Sequence, residues 1–262
     1  MEPLLAEVEF LARSGNRVDV LRRLAEERQT RTELAAATGA SQATLGRILT
    51  DFQERAWVER DGSEYVATAT GRLVASGLGD LLDALATERQ LRDVVDYLPA
   101  DAMTFDLGHL ADATVTFPSE TRPDAPIKRV VDLIGDAGTV TVFSHAFNHQ
   151  SLAAVHERVR DDEATFRGVF SEGAIDALAD DDPLRERLAA LLNHDAAGVR
   201  VREDVPLAVT AADERVHLML RDETGVLRAS LDTDDDAVRS WAAETFERYW
   251  RSAAPLDPTG LP

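Results

Sequence analysis

Four residues of one short segment, Ser41, Gln42, Thr44 and Arg47, have the side chains that read base edges in duplex DNA. Glutamine bonds adenine bidentately, arginine bonds guanine, and threonine meets the thymine methyl. Just upstream, Thr30, Arg31 and Thr32 suit a phosphate at a helix N-terminus, or simple capping. Arg60 and Arg72 are placed to meet the DNA backbone or minor groove. A second set lies far down the chain. Ser144, His145 and Asn148 follow one β-branched run, and Ser171 and Glu172 end the next. Polar groups at the carboxyl ends of neighbouring strands line binding crevices, so a small-molecule effector is expected there. His145 and His149 are four apart, but at a strand end that spacing makes no metal pair, and no metal or cofactor is expected. Arg200 and Arg202 alternate with Val199 and Val201, so both leave one strand face, toward an anionic metabolite or local carboxylates. His217, between Val216 and Leu218, reads as a hydrogen-bonded sheet histidine.

The elements that must position the first set are compact. Thr30 and Glu33 have the spacing of a capping box ahead of a short helix, Arg31 to Thr38. Gly39 sits where the chain must leave that helix at positive φ. Ser41 opens a second helix from Gln42 to about Ala56, whose Leu45, Ile48, Leu49 and Phe52 share one face. Residues 57–60 and 64–67 flank Asp61-Gly62, a hairpin signal. Helix, turn, helix and hairpin make a winged helix-turn-helix, whose second helix docks in the major groove. Two helices precede it. Pro3 to Arg13 carries Leu4, Leu5, Val8, Phe10 and Leu11 as an amphipathic stripe. The next, from Asn16 or Arg17, turns Val18, Val20, Leu21 and Leu24 inward. Arg22, Arg23 and Arg55 read as surface ion-pair residues.

After the hairpin, Thr70 is an N-cap candidate for a helix to about Leu85, and Thr87 for another ending at Pro99. Their stripes, Leu78, Leu81, Leu82, Leu85 and then Leu91, Val94, Val95, Leu98, are to pack against a second copy or against the C-terminal half. From residue 111 the pattern alternates. Strands are expected at 113–117, 139–143 and 165–170, with helices at 127–136, 148–160, 173–178 and 184–193. Four short strands follow, near 199–202, 207–210, 216–220 and 226–230, then a last helix to about Ser252. The continuous run 139–143 suits a central strand buried on both faces. The fold class is therefore α/β, α+β overall: a winged helix-turn-helix over 1–72, a helical linker and dimerisation segment over 73–110, and a mixed-sheet α/β domain over 111–262.

Composition bounds the function classes. The 262-residue chain has a net charge of −20, and Lys128 is its one lysine. Acidity with arginine in place of lysine fits a protein kept hydrated in molar salt, or a merely acidic one. Residues 1–75 hold 10 arginines and 12 acids, so the reading segment is near neutral while the rest carries the acid excess. With no cysteine, disulfides and thiolate metal sites are excluded. With no long apolar run or leader pattern, a cytoplasmic location away from membranes is expected.

Three stretches carry a resemblance: TELAAATGASQATLGRILTDFQERAWVERDGSEYVATATGR, ADATVTFPSETRPDAPIKRVVDLIGDAGTVTVFSHAF and LRASLDTDDDAVRSWAAETFERYWRSAAPL. Together they resemble archaeal winged-helix regulators of the methanogenesis-regulator type, with a C-terminal half similar to the sensor of TrmB-like regulators. The resemblance implies a homodimeric regulator of a halophilic archaeon that binds double-stranded DNA and has a phospholipase-D-like sensor topology. Catalysis by that topology needs a nucleophilic His and a phosphate-holding Lys two residues apart. The nearest match here is His217-Leu218-Met219, with methionine where lysine belongs, so no catalytic residue is expected. The rival readings are a phospholipase-D-like hydrolase with an appended head, and a winged helix that binds protein.

Overall fold

A computed structural model describes residues 1–262 apart from the side chain of Ala100. The chain divides into two compact units, Met1–Ala86 and Thr87–Pro262. No helix is long and apolar enough to cross a membrane among the described residues.

The first unit opens with α1 (Glu2–Ala12) and α2 (Gly15–Glu26), followed by the two-residue strand β1 (Gln29–Thr30). Then come α3 (Arg31–Thr38) and α4 (Gln42–Glu54), the hairpin β2 (Val58–Asp61) and β3 (Glu64–Ala67), and α5 (Ala69–Leu91), which continues past the boundary. The capping box is formed: the Thr30 hydroxyl accepts from the Glu33 amide, and the Glu33 carboxylate accepts from the Thr30 N–H at 2.7 Å. Those Thr30 donors hold the Glu33 carboxyl below its usual range. Gly39 ends α3 at φ +68°, and the Ser41 hydroxyl caps α4 by accepting from the Thr44 amide. Leu21, Leu24, Leu34, Leu45 and Phe52 are fully buried and form the centre of this core.

Four expectations need correction here. The wing is three-stranded, because β1 pairs antiparallel with β3. Its turn is Gly62-Ser63 rather than Asp61-Gly62: Asp61 pairs with Glu64 inside the ladder, and Gly62 alone takes positive φ. The α1 stripe is not inward, since Leu4 is 72% exposed and Leu5 and Val8 are exposed too. Only the end of α1 is anchored, by Leu11 and by Phe10 edge-on to Phe52 and Trp57. Finally, residues 69–91 are one helix. Thr68 rather than Thr70 caps it, accepting from the Gly71 amide at 3.0 Å, and Thr87 lies buried inside it. No glycine or proline separates Leu85 from Leu91, so nothing local breaks the helix.

The second unit is a three-layer α/β structure. Its strands and helices follow as β4 (Thr114–Thr116), α6 (Ala125–Asp136), β5 (Thr139–Ser144), α7 (His149–Arg160), β6 (Thr165–Ser171), α8 (Glu172–Asp176) and α9 (Asp182–Leu192). The chain continues with β7 (Ala197–Arg202), β8 (Ala208–Ala212), β9 (Arg215–Arg221), β10 (Leu227–Thr233), α10 (Asp236–Ser252) and β11 (Ala254–Pro255). The eight strands form one mixed sheet in the order β11-β7-β6-β5-β8-β9-β10-β4. β5, β6 and β7 are parallel, and the β8-β9-β10 meander is antiparallel. β5 is central, and both faces are covered: Val140 packs with α6, α7 and α9, while Phe143 packs with α10 and residues 91–113. α10 is capped by Asp235, whose carboxylate accepts from the amides of Ala237 and Val238.

Candidate functional site

Two groupings of the expected residues can be tested against this frame. The first is the outer face of α4. The apolar stripe pins the helix inward, leaving Ser41, Gln42, Ala43, Arg47 and Thr50 exposed. Arg47 makes no ion pair or hydrogen bond among the described residues, so its guanidinium is free. Ala43, Arg47 and Thr50 follow the i, i+4, i+7 spacing, and that period was the signal that adds Ala43 and Thr50 to the surface. No carboxylate lies on this face between residues 42 and 50. Thr44 is half-buried, and its hydroxyl is 2.9 Å from that of Ser41, so this pair also serves the cap.

The other head residues divide by what they touch. Thr32 is exposed at the start of α3. Thr30 is occupied by its capping box. Arg31 turns away from a phosphate position: its guanidinium donates to the Gln42 carbonyl and lies against Gly46, where a Cβ would come 2.7 Å from Nη2. It clamps α3 to the start of α4. Arg60 is exposed on the wing and donates from Nε to the Gly62 carbonyl at 2.8 Å. Arg72 is exposed and donates to the Ala67 carbonyl at 2.7 Å. Arg55 pairs with Glu7 at 2.7 Å, as expected, but Arg22 and Arg23 have no ion-pair partner among the described residues.

The second grouping is a cavity of about 60 Å³ between the sheet and helices α6 and α7. Ser144 and Asn148 line it, with Phe147, Phe170, Thr210 and Met219. Its polar rim is largely spent on the fold. The Ser144 hydroxyl donates to the Ala146 carbonyl, and Asn148 Oδ1 caps α7 by accepting from the amides of Gln150 and Ser151. The remaining expected residues are not brought to it. His145 is exposed beside the strand end, where partial burial and the Arg221 charge hold its pKa below the usual value. His149 pairs with Asp181 at 2.8 Å. Ser171 caps α8 and the exposed Glu172 begins it. Arg200 stacks on the Trp250 ring at 4.5 Å and donates to the Trp250 carbonyl, and Arg202 lies 4.0 Å over Tyr249. Cation–π contact with α10, not carboxylate pairing, explains why these arginines project together.

Beside the cavity runs a buried polar row that sequence reasoning missed. Asp232 on β10 is fully buried and is held bidentately by Arg129 at 2.8 and 2.6 Å, with Arg215 at 3.1 Å. Burial pushes its carboxyl up, but the Arg129 hydrogen bonds and charge, with His217 and Arg215, bring it below the usual range. His217, directly across the ladder from Asp232, is 1% exposed, and neither ring nitrogen has a hydrogen-bond partner among the described residues. It is therefore not the satisfied sheet histidine expected. Burial drives its pKa down to about 4; the Asp232 charge opposes this and Arg129 reinforces it. The ring is neutral at pH 7.

A winged helix-turn-helix followed in one chain by a mixed-sheet α/β unit defines a two-part architecture. Comparison with known proteins finds a match for each part. Residues 5–90 match the family described as the HVO_A0261 N-terminal domain, and residues 123–252 match the middle domain of the methanogenesis regulatory protein FilR1. Over residues 123–252 the chain is similar to the methanogenesis-regulator type. No curated protein matches it. Among solved structures, TrmBL2, an archaeal chromatin protein, is 12% identical, with 87% of this chain and 88% of that chain covered and a TM-score of 0.44. Nuc, a phospholipase D family member from Salmonella typhimurium, is also 12% identical at a TM-score of 0.44, over 55% of this chain and 97% of that one. The adhesin competence repressor AdcR from Streptococcus pyogenes is 19% identical over 35% of this chain and 78% of its own, at a TM-score of 0.27.

Proposed function

We propose that this protein is a DNA-binding transcriptional regulator that acts as a homodimer. Residues 1–72 read operator DNA, α5 up to Leu85 links and dimerises, and the unit from Thr87 onward, whose core takes in Leu91, Val94 and Leu98, responds to a small molecule. The observation that carries the reading is the outer face of α4: exposed, free of carboxylate, and bearing an unpaired Arg47 beside Gln42. The match of residues 123–252 to the middle domain of a methanogenesis regulatory protein supports it. Homodimerisation is supported by the exposed leucines Leu81, Leu82 and Leu85, which lie within four residues of one another on α5. Large apolar side chains left exposed together on one helix mark an interaction surface. A two-fold pair of heads then meets two half-sites at fixed spacing, and a ligand that alters that spacing alters affinity. The acidic, lysine-poor surface suits a cytoplasm of molar salt.

The hydrolase reading lacks a nucleophile. His217 is buried, and Met219 stands where a phosphate-holding lysine would be needed. The test of the main reading is selection of bound duplexes from a random pool in molar KCl, beside an Arg47→Ala/Gln42→Ala variant, followed by promoter occupancy in cells. A half-site motif is expected, with binding weakened about 5- to 150-fold and specificity relaxed in the variant. A pool that shows no enrichment, or the same motif from the variant, refutes base reading by α4.

A further inference from the structure

The cavity under α6 and α7 lies at the carboxyl ends of the parallel strands β5 and β6, where ligands of α/β sheets bind. We infer that it takes a compact, uncharged, mainly apolar molecule with a single hydrogen-bonding end. The inference rests on reading the second unit as the sensing half. A water occupies about 10–15 Å³ on the measure used for such voids, so about 60 Å³ holds a body of a few heavy atoms. One wall is the stacked pair Phe147 and Phe170, 4.1 Å between ring centroids, and Met219 supplies an adaptable thioether.

What the cavity lacks defines its ligand. No charged side chain lines it, so a carboxylate or phosphate would enter without a counter-ion, the case that burial penalises most. Arg200 and Arg202, the cations expected to meet an anion, are committed to Trp250 and Tyr249. With Ser144 Oγ, Ser151 Oγ and Asn148 Oδ1 already bonded, the side-chain polar groups left are the Thr210 hydroxyl and the Asn148 amide, neither with a partner among the described residues. Two groups satisfy one alcohol function. They leave most hydroxyls of a sugar unpaired, which is costly when buried. Thr210 also faces His217 across the β8–β9 ladder, so the neutral imidazole extends the polar end of the same sheet face.

The chain carries its own reporter. Of three methionines, Met1 is 93% exposed, Met103 is buried in the opposite core, and Met219 lines the cavity. The full-length protein with ¹³C-methyl methionine is titrated with propan-2-ol, propanoate and glucose. Propan-2-ol is expected to shift the Met219 methyl saturably and leave Met1 unmoved, and propanoate and glucose are expected not to shift Met219. Thr210→Val keeps the shape and is expected to weaken propan-2-ol about fivefold while leaving xenon unchanged. A silent Met219, equal shifts at Met1 and Met219, or propanoate binding as tightly as propan-2-ol overturns the inference. DNA binding is followed separately on the same samples. A silent Met219 with intact DNA binding sinks the ligand class alone, and lost DNA binding with a responsive Met219 sinks the regulator reading alone.

Discussion

His217 makes the second unit acid-labile in a window that carboxylates do not reach. Its folded pKa is about 4, against about 6.5 for an unburied histidine. Between those values the unfolded chain binds a proton that the folded chain refuses, so stability falls as pH drops. The loss begins near pH 6.5 and is complete below pH 4. A difference of about 2.5 pH units amounts to about 3.4 kcal/mol at full protonation, and about 2 kcal/mol is already lost between pH 7 and pH 5. Molar salt screens surface charges but does not relieve burial, so the slope persists in KCl. The assay is denaturant unfolding of wild type and His217→Leu at pH 7, 6 and 5, with the His217 ring followed by NMR. Wild type should lose about 2 kcal/mol across that range and the variant distinctly less, with His145, also held below its usual value, contributing in the same direction. Equal losses in both proteins, or a His217 ring that protonates by pH 6, would refute the reasoning.

Two further substitutions test packing and assembly. A Cβ at Gly71 would lie 1.9 Å from the Trp57 carbonyl oxygen, whereas one at Gly77 meets nothing within 4 Å. Gly71→Ala is therefore expected to lower the stability of the first unit by about 1–3 kcal/mol, and Gly77→Ala, in the same helix, to raise it by about 1 kcal/mol; thermal melts separate the two signs. Leu81→Glu/Leu85→Glu is expected to convert the proposed homodimer to a folded monomer by sedimentation, with an unchanged far-ultraviolet spectrum.

How far these features could be read from the chain depended on how local their causes are. The capping box at Thr30 and Glu33, the αL exit at Gly39 and the Ser41 cap lie within four residues of what they fix. The face of α4 follows from a 3.6-residue period, so it was legible. Thr87 misled because a threonine favours caps only when exposed backbone needs it, and here the helix runs on and buries it. The third wing strand and the sheet order depend on pairings between distant segments: β4, first of its unit in sequence, lies at an edge beside β10, near the end. The same distance hid the partners of Arg200 and Arg202, which sit some 50 residues away on α10. His217 was misread because flanking valine and leucine announce burial but not the absence of a partner.

The acidity of the chain constrains how the proposed head can hold DNA. Of its ten arginines, Arg13, Arg17, Arg28 and Arg55 are ion-paired and Arg31 is spent on the Gln42 carbonyl. Set Arg47 aside for bases, and four remain for phosphates: Arg22, Arg23, Arg60 and Arg72. Each neutralised phosphate contributes about −0.9 to the slope of log K against log salt, so a dimer of two such heads cannot exceed a slope of about −7. In molar salt the sequence-independent attraction behind that slope is already weak, and the acid-rich second unit adds none. Specific binding must then rest on the edges of bases, which places the burden on Gln42, Arg47 and their neighbours on α4. Fluorescence anisotropy of an operator fragment between 1 and 3 M KCl gives the slope directly. A value steeper than about −10 would require more phosphate contacts than the head has free cations to make, and would refute this division of labour.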